Sequence, residues 1–252
     1  MAMPEVGAFY DAFARWYHLV YPDWEASIGR QGRALASLLA GEWGSAAQRV
    51  LDAAVGIGTQ ALGLAALGFQ VTGSDISLAV VQRAGEEADR RGLRLGCVVG
   101  DVRALPVRST TFDIVLACDN ALPHLLSEDD IQCAFQECLR CIRPRGGCVI
   151  SMRDYGTPPP PGAVETQDYG ERIWSGRRCR LVQTRRWRGE LYDLAFELVT
   201  NDETKEVVLR TPETTYFAIG VERMVVLMGE VGFTGVRRID GCLFQPVIVG
   251  TR

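Results

Sequence analysis

Asp52, Gly56, Gly58 and Asp75 are spaced as a nucleoside-binding turn needs them. Gly56 and Gly58 permit a sharp backbone turn and a close ligand approach where a Cβ would clash. Asp75 follows Gly56 by nineteen positions, the separation at which a carboxylate closing a second strand hydrogen-bonds a ribose diol. Asp52, four residues before Gly56, would repel a pyrophosphate, so the expected ligand is a nucleoside that carries a cation.

These residues need a strand, a turn and a helix to hold them. Val50, Leu51, Ala53 and Ala54 read as a short buried strand, and after Gly58 a helical period of small residues runs to Gly68, with Gly63 expected to bring that helix close to the sheet. Val71 to Ser74 is a second strand ending at Asp75. Leu78 to Arg91 follows as an amphipathic helix and Leu95 to Val99 as a strand, whose end releases Asp101 and Val102. Phe112 to Cys118 is a fourth strand, releasing Asp119, Asn120 and, further on, His124 and Leu125. Ligands of open parallel sheets sit outside the carboxyl ends of the strands, so Asp52, Asp75, Asp101 and Asp119-Asn120 are expected to converge on one crevice.

Ser127 caps a helix whose buried face includes Ile131, Phe135, Cys138 and Ile142, and Cys148 to Met152 is a fifth buried strand ending in Arg153-Asp154-Tyr155. An arginine there is costly unless Asp154, another acid or an anionic substrate neutralises it. Prolines 158 to 161 and Gly162 mark a linker. Beyond it lie seven arginines without an acid from Arg172 to Arg188, then six acids from Glu190 to Glu206. Cys179, Leu181 and Trp187 alternate with Arg178, Arg180, Arg186 and Arg188, and Tyr192, Leu194, Phe196 and Leu198 alternate with Asp193 and Glu197. Antiparallel strands paired across opposite charges are expected, in preference to a nucleic-acid stripe. Thr211 to Ile219 continues that sheet, Val221 to Val231 is a helix, and Phe233 to Ile239 with Leu243 to Thr251 is a closing strand pair.

At the other end, Phe9 to Leu39 reads as two helices broken near Tyr21-Pro22-Asp23. Tyr10, Phe13, Trp16, Tyr17 and Tyr21 form an aromatic stripe, either core or a lid over the crevice from which Arg30 reaches a cofactor carboxylate. The whole chain, 252 residues with 47% apolar residues, a net charge of −4 and no apolar run near the ~20 residues of a membrane span, reads as an ordinary soluble protein without general attraction to nucleic acid or membrane. The N-terminus lacks the basic-then-apolar order of a secretory signal, and eight scattered cysteines fit a reducing cytoplasm. Cys138-Leu-Arg-Cys141 lacks companions for a metal, and none is expected.

The stretch Asp52-Ala-Ala-Val-Gly56-Ile-Gly58 resembles motif I of the class I S-adenosylmethionine-dependent methyltransferases, with Ala54 where many members have glycine. The resemblance implies S-adenosyl-L-methionine as cofactor, held by Ala54, Gly56, Gly58, Asp75, Ile76, Asp101, Val102, Asp119 and Leu125 together with Arg30. It also implies a Rossmann-like α/β fold: a seven-stranded, mostly parallel sheet with an antiparallel last strand. In that frame residues 1–45 are an N-terminal helical lid, 46–155 the cofactor-binding core, 156–218 an antiparallel β insert forming a substrate lobe, and 219–252 the rest of the core.

Within that superfamily the chain looks like the glycine/sarcosine N-methyltransferase group, through CDNALPHL, SMRDY and the Thr-Tyr-Phe at Tyr216. The group's carboxylate-gripping arginine falls on Arg153, its acceptor asparagine on Asn120 and its aromatic contacts on Tyr21 and Tyr216. Asp119 and Asp154 depart from the group's glycine and asparagine and add negative charge, favouring a cationic or larger amine over glycine. His124 reads as structural rather than as a base. The expected activity is methyl transfer to the nitrogen of a small amine or amino acid. Oxygen or carbon methylation of a small natural product, or a non-catalytic cofactor-binding regulator, are the alternatives, and a homo-oligomer is left open.

Overall fold

The computed structural model describes residues 4–202 and 205–252; residues 1–3 of the expected lid and 203–204 of the expected insert lie outside them. Two N-terminal helices, α1 (Pro4–Phe13) and α2 (Trp24–Trp43), precede the alternating series β1 (Arg49–Asp52), α3 (Thr59–Ala66), β2 (Gln70–Asp75), α4 (Leu78–Arg90), β3 (Leu95–Val99) and β4 (Phe112–Ala117). Then come α5 (Glu128–Cys141) and β5 (Ile142–Ser151). The insert holds β6 (Val164–Trp174), β7 (Arg177–Arg188), β8 (Leu191–Asp202), β9 (Lys205–Arg210) and β10 (Thr214–Phe217). The chain closes with α6 (Val221–Glu230), β11 (Thr234–Ile239) and β12 (Val247–Thr251).

The main sheet has seven strands in the order β11-β12-β5-β4-β1-β2-β3. Neighbours from β5 through β3 are parallel, while β12 is antiparallel to both β5 and β11. This is the Rossmann-like sheet with an antiparallel last strand that the family resemblance implies. The central strands are apolar because helices cover both faces: Val50, Leu51, Ile114 and Leu116 have no exposed surface. Strand order reverses between β1 and β4, and the crevice opens where their carboxyl ends diverge.

Three local readings change in the fold. Gly63 does not bring α3 close to the sheet. A Cβ there would meet the Ile28 carbonyl oxygen at 2.5 Å and Gly32 Cα at 2.8 Å, so this glycine serves the crossing of α3 with α2. Helix α1 ends at Phe13, short of the expected break near Tyr21; a 3-10 turn at Tyr17–Val20 follows, and Asp23 caps α2 by accepting from the Ala26 amide. The shortened helix lets Phe9, Phe13 and Trp16 enter the insert's core beside Phe196 and Tyr192. Strand β5 begins at Ile142 rather than Cys148, with a register shift in its pairing to β4.

In the insert, β7 pairs antiparallel with β6 and β8, which pairs with β9 and β10. Arg188 on β7 meets Asp193 on β8 at 2.7 Å, the expected charge pairing, whereas Arg178 and Arg180 turn to Glu171 and Asp168 on β6 and Glu197 takes Arg210 of β9 at 2.8 Å. Strand β9 is an element that the sequence pattern does not announce. No helix among the described residues is long and apolar enough to cross a membrane.

Candidate active site

The crevice above β1, β2 and β4 is lined by Ala54, Gly56, Asp75, Ile76, Asp101, Val102, Asp119 and Leu125. Gly56 adopts φ +50°, and the space its Cβ would take is open except for Tyr17 Cε1 at 3.6 Å. Gly58, at φ +91°, is outside the lining: its Cβ would press on Leu62 at 3.1 Å, so its glycine serves the turn itself. Arg30 is exposed, donates to Ser27 Oγ at 3.0 Å and lines a second cavity instead.

Asp75 is braced for a ligand. Its Oδ2 accepts from the Gly56 amide at 2.9 Å and its Oδ1 from the Ser77 amide at 3.1 Å, which sets the carboxylate beside the turn. Burial pushes its carboxyl up to about 6 against the lowering effect of these amides. Asp101 is gripped by Arg103, with Nη2 at 2.6 Å and the Arg103 amide at 2.9 Å; burial acts to raise its carboxyl, but these bonds hold it below the ordinary value.

Asp52 is 1% exposed, Oδ1 meets only the Ala54 amide at 3.4 Å, and Oδ2 is buried without a hydrogen-bond partner. Burial pushes its carboxyl up to about 7. Asp52 itself is outside the crevice lining that its neighbours Ala53 and Ala54 form, so its poorly satisfied carboxylate bears on a cationic ligand only as a nearby buried charge. The residues present fit S-adenosyl-L-methionine: Asp75 for a ribose, Gly56 for close approach, and Asp52 as the nearby charge.

A second cavity of about 600 Å³ lies between the crevice, the N-terminal segment and the insert. It is lined by Asn120, Arg153, Tyr21 and Tyr216, the four residues expected at the acceptor. Tyr10, Tyr17, Tyr21 and Asp119 line both spaces. Two of these, Tyr10 and Tyr17, appear in the sequence only as part of an aromatic stripe. The stripe proves to be divided, with Phe13 and Trp16 contributing to the insert's core and the tyrosines to the crevice wall.

Asp119 (φ +59°) and Asn120 (φ +68°) are both left-handed, a conformation that costs a β-carbon residue unless its side chain is tied. They are tied. The Asp119 amide donates to Ser151 Oγ at 2.8 Å and Tyr21 Oη donates to Asp119 Oδ2 at 2.8 Å. Asn120 Oδ1 accepts from the Arg153 amide at 3.0 Å and Nδ2 donates to Tyr155 Oη at 2.9 Å, locking the ends of β4 and β5 together. Burial raises the Asp119 carboxyl, opposed by the Tyr21 hydroxyl and by the charge of Arg153.

Asp154 does not neutralise Arg153. It is exposed and pairs with Arg238 at 2.8 Å, so the negative charge expected there lies outside the cavity. The Arg153 guanidinium has no hydrogen bond or ion pair among the described residues. Tyr216 stacks on Tyr192, with centroids 5.1 Å apart and an interplanar angle of 3°, and hydrogen-bonds Tyr10 Oη at 3.2 Å. His124 is 5% exposed and meets Tyr10 Oη through Nε2 at 2.9 Å; burial pushes its imidazole down to about 3, so it is neutral at physiological pH.

Residues 50–146 match the methyltransferase domain family. The chain is 31% identical over 142 residues to a glycine/sarcosine N-methyltransferase of Aphanothece halophytica, covering 56% of this chain and 52% of that protein. It spans about half the length of the curated relatives it matches. In fold it is similar to DesVI of Streptomyces venezuelae, with a TM-score of 0.77, 16% identity and coverage of 95% and 96% of the two chains. It is also similar to S-adenosylmethionine-bound CalS10, an amino pentose methyltransferase of Micromonospora echinaspora, with a TM-score of 0.74, 19% identity and 94% of each chain covered. The matched residues run from β1 through the glycine turn and the strand ends that line the crevice, and over that part the chain is similar to the methyltransferase domain family.

Proposed function

We propose that this protein transfers a methyl group to the nitrogen of a small amine or amino acid, with Arg153, Asn120, Tyr21 and Tyr216 serving the acceptor. The observation that carries the reading is the meeting of the two spaces at Tyr10, Tyr17, Tyr21 and Asp119. A cofactor bound over Gly56 and an acceptor bound beside Arg153 would share that boundary.

S-adenosyl-L-methionine supplies a methyl group on a sulfonium that is already a good leaving group, so the chain's task is to orient a lone pair and exclude water. The cofactor residues are Ala54, Gly56, Asp75, Ile76, Asp101, Val102, Asp119 and Leu125, with Gly58 shaping the turn; Arg30, held by Ser27 outside the crevice, would have to leave that contact to reach the cofactor carboxylate. Asn120 positions Arg153 by holding its amide. Arg153, free of an internal partner, binds an acceptor carboxylate. The tyrosines wall off solvent. Asp119 Oδ1 has no partner among the described residues, and it takes a hydrogen bond or the proton from the acceptor's ammonium so that a neutral nitrogen faces the methyl.

The test is a mass-spectrometric assay of methyl transfer to a panel of amino acids and amines, with calorimetric titration of S-adenosylhomocysteine alongside. Methyl transfer to nitrogen with cofactor-product binding is the expected result. Absence of binding, or transfer only to oxygen or carbon acceptors, overturns the proposal.

A further inference from the structure

Strand β7 turns Cys179, Leu181, Gln183, Arg185 and Trp187 to the same side, as its period of two requires. Arg185 is out of keeping with the other arginines of this strand, since its side chain is only 11% exposed while those of Arg178, Arg180, Arg186 and Arg188 are more than half exposed. Glu165, its register partner on β6, approaches Nη1 only to 3.6 Å, is itself 46% exposed, and also accepts from Trp187 Nε1 at 3.0 Å. Arg185 Nε is buried with no partner.

Its Nη2 instead donates to Gln183 Oε1 at 2.6 Å and to Gln167 Oε1 at 3.0 Å, two residues that face each other across the β6–β7 register and line the second cavity. A guanidinium only donates, so each glutamine must turn its carbonyl oxygen to Arg185 and its NH2 group away from it. Neither NH2 group has a partner among the described residues. With the unpaired Arg153, this side of the cavity offers donors from three side chains. The two guanidiniums lie close enough that, after burial, the charge of Arg153 is the next influence lowering Arg185.

We propose that Arg153, Gln167 and Gln183 form an oxyanion subsite that selects amines bearing a carboxylate or phosphate at a distance from the reacting nitrogen, with Arg185 as the positioning residue that holds both glutamines as donors. The proposal rests on the methyl-transfer reading and names its substrate class. Asp119, where the nitrogen is expected, belongs to the boundary shared with the crevice, whereas Gln167 and Gln183 line only the second cavity. Glycine would leave most of the 600 Å³ empty.

The test is calorimetric titration of the full chain loaded with S-adenosylhomocysteine. The probes are 4-aminobutyrate, 4-(aminomethyl)benzoate and O-phosphoethanolamine, each beside 4-aminobutanamide, 4-(aminomethyl)benzamide or ethanolamine. At least one anionic probe is expected to bind tenfold or more tightly than its neutral counterpart, the carboxylate and phosphate arms showing which oxyanion is preferred. Gln183→Glu, which supplies Arg185 with an internal anion, should abolish that preference, and Arg185→Met should weaken the anionic probe at least fivefold while leaving its neutral counterpart and S-adenosylhomocysteine unchanged. Anionic probes that bind no better than neutral ones, or a preference that survives Gln183→Glu with wild-type melting temperature, overturn the subsite. If Arg185→Met loses S-adenosylhomocysteine binding, Gln183→Glu decides alone. Turnover separates the two readings: probes that bind by charge but receive no methyl group leave the subsite and sink the activity, while transfer to neutral amines alone does the reverse.

Discussion

Replacing Asp52 by asparagine should exchange cofactor affinity for stability of the free protein, in a way that pH reveals. The folded carboxyl sits at about 7 against an ordinary 3.8, because burial disfavours its charge and only one long hydrogen bond, from the Ala54 amide, offsets it. A carboxyl raised in this way stabilises the fold while protonated: the contribution is full below the unfolded value near 3.8 and is lost as pH rises through about 7. Most of the change falls between pH 5 and 8, close to two pKa units at about 1.4 kcal/mol each, or about 2 to 3 kcal/mol. The substituted amide does not titrate, so whatever fixed cost it carries cancels in the difference between the two pH values. Urea denaturation of wild type and Asp52→Asn at pH 5 and pH 8, without cofactor, should therefore show the variant gaining about 2 to 3 kcal/mol on wild type over that interval. The same variant should bind S-adenosyl-L-methionine at least tenfold more weakly at pH 8 by calorimetry, about 1.4 kcal/mol. A stability difference independent of pH would show that Asp52 is already satisfied, and unchanged cofactor affinity would remove it from the binding of positive charge.

Asp75→Ala removes a charged acceptor from the turn, and a loss of about 1.5 to 3 kcal/mol corresponds to S-adenosylhomocysteine binding roughly 10- to 150-fold more weakly by calorimetry. Arg153→Ala should raise the acceptor KM by about tenfold or more while cofactor affinity stays within about twofold, and equal losses in both would make Arg153 structural. Gly63→Ala drives a Cβ onto backbone atoms of α2 at 2.5 and 2.8 Å, so the two helices must separate. Denaturant unfolding should show a loss of about 1 to 3 kcal/mol, and a neutral result would mean the α2–α3 crossing yields easily.

The sequence by itself determined the strand-turn-helix unit around Gly56 and the placing of Asp75, Asp101 and Asp119 at strand ends, the antiparallel closing strand being implied only by the family resemblance. These follow from hydrophobic period and glycine position, which act over a few residues, and from the rule that ligands gather at the carboxyl edge of a parallel sheet. Contacts between distant positions were decided only by tertiary structure. Tyr21 reaches Asp119 across 98 positions, Arg238 takes Asp154 away from Arg153, and Gly32 rather than the sheet explains Gly63. Arg185 shows the limit most plainly. Its place in register with Cys179, Leu181 and Trp187 is an inward position, but whether an inward arginine is silenced by an acid or left to orient neighbouring amides depends on what β6 sets across from it. An alternating pattern gives the side of the sheet, and only the folded partner strand gives the charge that side will meet.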